Sequence, residues 1–174
     1  MAKRQKPINL KDIEKQFKQV NTFDTYPLND KDNSVIKYNS VFDHQIVEDL
    51  KNELFEKIKY SQEKKLGFLE SDHEFFNYMY FLIIKYFTHF KDIIAEDLET
   101  QIIQMEKMVS IGLYELIIKD VLPQEEVQMV FDVVLDTIES VEKLDAIEEQ
   151  HKLNLATEVK SPVIQKRVGI NGAV

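Results

Sequence analysis

The chain has 174 residues, 44 percent of them hydrophobic and 30 percent charged, with 22 Lys and Arg against 31 Asp and Glu for a net charge of −9. That is the size of one domain, and 11 Phe and 7 Tyr supply a core and exclude disorder throughout. The absence of Cys excludes disulfides, thiolate metal sites and a cysteine nucleophile, while 4 Gly and 4 Pro are too few for the turns of a β-sandwich or barrel.

Residues 1–8 read as a loose basic arm. Leu10, Ile13, Phe17 and Val20 then form one apolar stripe on a short helix, with Asn9 as its N-cap. Two extended segments, Tyr26–Leu28 and Ser34–Tyr38, flank the turn formers Asn29–Asn33 and predict a small β-hairpin, whose first strand Pro27 confines to an edge. From a cap at Asp43, the positions Ile46, Val47, Leu50, Leu54 and Ile58 share a helix face, with Lys57 and Lys59 near the C-terminal end and a loop at Ser61–Leu69. Ser71 and Glu74 have the spacing of a capping box.

The helix that this box opens, about 72–90, carries aromatics nearly all round, which makes it the central element of the core. A further helix is expected from about Ile93 to Val109, and a short apolar one over Leu113–Val121. Pro123 suits a first helical position, with Glu125 and Glu126 at the positive end of a last helix reaching about Lys152. Its stripe of Val127, Val130, Val134, Ile138, Val141 and Leu144 is longer than one core of this size needs, so the distal half should pack on something else. The sequence thus predicts an all-α fold: one helical domain over 9–155 with a minor β-hairpin, the basic arm 1–8 and an extended tail over 156–174.

Charge is uneven along this order. Residues 1–20 sum to +4, 21–91 to −3, 92–150 to −13 and 151–174 to +3, so a basic head and tail flank an acidic half. Solvated helix faces with loose ends are the simplest account of that pattern. The basic Met1–Lys6 lacks the apolar region of a signal peptide. Phe75–Phe90, the most apolar window, is interrupted by Asn77, Lys85 and His89 and falls short of the roughly 20 residues a bilayer requires. No membrane association is expected, and the cytoplasm is the default location.

Few chemistries remain. Glycines at 67, 112, 169 and 172 form no phosphate-binding loop, and no nucleophile elbow accompanies the four histidines. Glu148-x-x-His151 has the spacing of half a di-iron site, but no second copy exists, and an exposed helix end explains it more simply. Asp72-His73 belongs to a helix start, and His89 reads as a core or boundary histidine. No catalytic residue, metal or cofactor is therefore expected. Nucleic acid is unfavoured for so acidic a body except through the basic arm. The partner-binding candidates are apolar: Val159, Val163, Ile164, Val168 and Ile170 of the tail, with Val141 and Leu144 on the last helix.

Over about 34–131 the chain resembles the small helical tail assembly chaperones and accessory virion proteins encoded in tail-morphogenesis regions of phages of Gram-positive bacteria. The resemblance rests on the extended Val35-Ile-Lys-Tyr38 before a helix, the central Phe75-Phe-x-x-Met-x-Phe-Leu-Ile-Ile-x-Tyr-Phe-Thr88, and Ile111-Gly-Leu-Tyr-Glu-Leu-Ile-Ile followed by Leu122-Pro-Gln-Glu-Glu126. It implies a non-enzymatic protein that binds phage structural proteins, or further copies of itself, in the host cytoplasm or the virion. The competing expectation is a host-directed acidic inhibitor or nucleic-acid mimic using the carboxylates of 92–150.

Overall fold

The computed structural model describes residues 9–29 and 33–159, with the side chains of 16, 29, 142 and 145–159 outside the description. It holds six α-helices and one two-stranded antiparallel hairpin among these residues. The basic arm 1–8 and most of the expected tail, from 160 onward, lie outside the described residues. Two compact units divide the chain, Met1–Val130 and Phe131–Val174.

Within the first unit, helix α1 (Leu10–Val20) begins at the expected cap, where Asn9 and Asp12 exchange side-chain to backbone hydrogen bonds of 3.1 Å each. Strands β1 (Phe23–Asn29) and β2 (Ser34–Asn39) pair from Phe23 opposite Asn39 to Asn29 opposite Ser34, with a register shift between Pro27, which has no N–H to donate, and Asn29. Helix α2 (His44–Lys64) starts at the Asp43 cap and runs past the predicted loop start. Ser61 is why: its hydroxyl is turned inward to donate to the Phe68 carbonyl, and the helix continues until Lys65 adopts a left-handed φ of 53°. Gly67 follows with φ of 68°, a conformation that costs glycine least.

Helix α3 (Asp72–Phe87) opens with the predicted box, in which Ser71 Oγ accepts from the Glu74 N–H and Glu74 Oε2 from the Ser71 N–H, both at 3.3 Å. Ser71→Ala should cost about 1 kcal/mol of stability, measurable by chemical denaturation. No loss would mean that the cap does not hold the helix start. Tyr78, Met79, Phe81, Leu82, Ile83, Ile84, Lys85 and Phe87 are all buried, which makes α3 the centre of the core as its composition requires.

The expected end of this helix at about 90 is corrected by the hairpin. Thr88 is extended, forms an antiparallel bridge with Tyr38, and turns the chain into a 3-10 turn over His89–Asp92. Its hydroxyl donates to the Ile84 carbonyl at 2.7 Å and accepts from the Phe90 N–H at 3.2 Å, so it closes one helix and caps the next turn.

Helix α4 (Leu98–Ser110) starts five residues later than the expected Ile93, because Asp97 caps it through the Thr100 N–H at 2.8 Å. Residues 93–96 form a connection instead. Helix α5 (Leu113–Leu116) passes into a π-turn over Ile117–Val121, and Leu122 is extended, as a residue before proline prefers. Helix α6 (Gln124–Val159) begins after Pro123, whose carbonyl accepts from the Val127 N–H at 3.0 Å. Glu126 in its first turn accepts from the Phe42 N–H at 3.0 Å, which fixes the start of α6 against the entry to α2. The second unit contains the rest of α6, which runs beyond the expected end near Lys152 to Val159.

Candidate functional site

The residues weighed for chemistry are placed in structural roles. His89 Nδ1 accepts from the Lys37 N–H at 3.2 Å, joining β2 to the turn after α3. His73 pairs with Asn77 at 3.0 Å one turn along α3, and His44 is exposed at the start of α2. The side chains of Glu148 and His151 lie outside the described residues. Among the described residues, no group of three or more His, Cys, Asp or Glu is placed to hold a metal.

A buried polar network was not foreseen from the sequence. Lys85 Nζ, with 2 percent of its side chain exposed, donates to Glu53 Oε1 at 2.9 Å, Glu53 Oε2 at 3.0 Å and Glu96 Oε2 at 3.0 Å. Glu53 also accepts from Tyr86 Oη at 2.7 Å and Gln101 Nε2 at 2.7 Å. Gln101 in turn donates to the Ala95 carbonyl and accepts from the Tyr78 hydroxyl. The network therefore ties α2, α3, the 93–97 connection and α4 through charge-assisted hydrogen bonds. Lys57 strengthens the same connection, donating to the Glu96 carbonyl at 2.7 Å.

Burial raises the Glu53 carboxyl, but the hydrogen bonds from Gln101, Lys85 and Tyr86 outweigh it and hold the group below its ordinary range. Burial, above all, pushes the Tyr78 and Tyr86 hydroxyls far above theirs. Near neutral pH Glu53 is therefore ionised, and neither tyrosine exchanges a proton. An open cleft of about 340 Å³ lies over this network, lined by Asp49, Asn52, Glu56 and Lys57 together with Glu53, Tyr86 and Glu96. The one sequence signal was Lys85 itself, since a cation on a helix that is apolar on every side requires a buried counter-charge. Glu53 supplies it from beside Leu50 and Leu54, on the apolar face of α2.

The described surface also carries exposed apolar side chains. The α1 stripe is in the open: Leu10 is 70 percent exposed, Ile13 52 percent and Phe17 65 percent. Helix α1 is held at its C-terminal end, where Asn39 Nδ2 donates to the Val20 carbonyl at 3.2 Å and the Thr22 carbonyl at 3.4 Å. Single exposed apolar residues are ordinary, whereas these three recur at three- and four-residue steps along one face of the helix. In the second unit, the candidates Val141 and Leu144 are 48 and 62 percent exposed. Val159, expected in an extended tail, is the last residue of α6, while Val163, Ile164, Val168 and Ile170 lie outside the described residues. The α1 row was legible as a stripe, but periodicity does not say whether a stripe is covered.

The fold and these surfaces define a small helical protein with a minor hairpin and open amphipathic faces. The YomO family model matches residues 10–167, and the chain belongs to that family, a phage-derived family of Bacillus-phage type. No curated protein and no solved structure matches the chain. Among the described residues, no helix is long and apolar enough to cross a membrane.

Proposed function

We propose that this phage protein is non-enzymatic and binds other phage structural proteins during tail or virion assembly, as a tail assembly chaperone or an accessory virion component. It would act in the host cytoplasm or within the particle. The observation that carries this reading is the open row of Leu10, Ile13 and Phe17 on an ordered helix, a surface suited to another protein's apolar face rather than to a small substrate. The fully partnered Lys85–Glu53 pair is consistent with it, because the buried ionisable groups hold the frame and present no reactive side chain.

Mass spectrometry of complexes captured on the tagged chain from infected cells, alongside purified particles, tests the proposal. Phage tail or capsid proteins should be recovered on the chain; presence in particles marks a virion component, and absence from them a transient chaperone. Recovery of only host nucleic-acid-binding proteins, lost steeply as salt rises, would replace this reading with that of an acidic mimic.

A further inference from the structure

We propose that the chain pairs with a second copy of itself through the open edge of β1, the two strands running antiparallel about a twofold axis at Thr25. This goes beyond the proposed function and uses none of the surfaces assigned there.

The register of the hairpin decides which main-chain groups face outward. Thr25 stands opposite Lys37, and the Lys37 N–H points out of the hairpin to donate to His89 Nδ1 at 3.2 Å. In an antiparallel ladder both residues of such a pair turn their N–H and C=O away from each other, so those of Thr25 lie on the far edge of β1. By alternation Phe23 and Pro27 share that edge, and the N–H that proline lacks costs the hairpin no bond. Among the described residues, none bonds to the outward groups of Phe23 or Thr25. Phe23 is 50 percent exposed, and Thr25 and Pro27 are exposed as well. The edge of β2 differs, because Thr88 and His89 already pair with it. Within the described residues the sheet can therefore grow only at β1.

A second copy fits this edge in one register. With Thr25 opposite Thr25 of the other copy, the two exchange both of their N–H···O=C bonds, and each Phe23 N–H donates to the Pro27 carbonyl across the axis. The missing proline donor then falls at the rim, where water reaches the Phe23 carbonyl. The side-chain pairs that result are threonine on threonine, Phe23 on Pro27 and Asp24 beside Tyr26, all free of like charge. Sliding one copy by two residues either sets Asp24 against Asp24 or sets Pro27, which cannot donate, against Thr25. The exposed apolar groups of the edge, Phe23 and Pro27, thus cover each other's counterparts, as the self-complementary patch of a twofold contact must. Each copy has one open edge, so association stops at a dimer.

Position 25 faces itself across the axis, and charge placed there tests the pairing. Thr25→Lys and Thr25→Glu each set like charges opposite one another in a pair of identical copies, whereas an equal mixture of the two sets opposite charges there. The side chain is exposed, so circular dichroism and melting should match the parent for both. In sedimentation up to millimolar concentration, the parent should reach twice the 20.5 kDa of one chain and nothing larger. Each variant alone should associate roughly three- to tenfold more weakly, and the mixture should regain the affinity of the parent or exceed it. Amide exchange on the parent reads the same contact without any variant. The Phe23 and Thr25 N–H groups should gain protection as concentration rises, while those of Asp24 and Tyr26, which face β2, should not change. A parent that stays monomeric throughout overturns the proposal. So does association that both variants leave unchanged, which would place the contact on another surface, so do species larger than two copies, and so does a mixture no more associated than either variant alone.

Discussion

Phe87→Ala should lower the unfolding free energy by about 3–5 kcal/mol, the usual cost of removing a buried phenylalanine ring. For a chain of this length that is a fall on the order of 10 °C in melting temperature. Phe87 is fully buried and stacks on Phe42, with ring centroids 3.7 Å apart and planes 6° from parallel. Its position magnifies the loss. The ring lies at the last residue of α3, next to the Thr88 bridge to β2, and Phe42 adjoins the cap of α2 while its N–H is held by Glu126. One truncation thus loosens α3, the entry to α2 and the start of α6 together. Phe81→Ala, also fully buried, should cost a similar amount. A loss below about 1 kcal/mol for both in chemical denaturation would mean that α3 is not the core.

Lys85→Met should be comparably damaging, at about 3–5 kcal/mol, because it removes the counter-charge of the buried Glu53 carboxylate and leaves it only the Tyr86 and Gln101 hydrogen bonds. Changing both residues together, Glu53→Leu with Lys85→Met, should cost far less than the two single changes added, since an apolar pair leaves no buried charge. Glu96 gives the internal contrast: its side chain is 82 percent exposed, and Glu96→Ala should cost no more than about 1 kcal/mol.

The pH dependence has a definite sign. Because the folded-state Glu53 carboxyl is held below its ordinary value, its contribution is present above the unfolded value, about 4.3, and is lost as pH falls through that value and the folded one. The parent chain should therefore lose more stability than Glu53→Gln on acidification through that window. Additive single and double changes, or identical acid profiles, would contradict the coupled buried pair.

What the sequence revealed and what it concealed divide by range. The caps at Asn9, Asp43 and Ser71 depend on side chains within three residues of the bonds they make, and each stands where the local pattern puts it. The hairpin follows likewise from turn formers between two extended runs. Helix ends decided at a distance were not legible. Thr88 leaves α3 because β2, 50 residues earlier, bridges to it at Tyr38. Residues 93–96 leave the helical pattern where Glu96 turns to Lys85 and Ala95 accepts from Gln101 and donates to Gln104. Val141 and Leu144, read from the sequence as candidates on the last helix, are exposed. The α1 row was visible only as a stripe, since spacing identifies the apolar face of a helix and not what covers it.

The affinity of the chain for a phage structural protein recovered with it, measured by calorimetry across a salt series, tests the central claim most directly. If apolar helix faces do the binding, affinity should change little between low and high salt, fall roughly tenfold or more on Phe17→Glu or Leu144→Lys, and survive neutralisation of the surface carboxylates of 92–150. Affinity that collapses with salt and with those neutralised carboxylates, while ignoring Phe17 and Leu144, would contradict it.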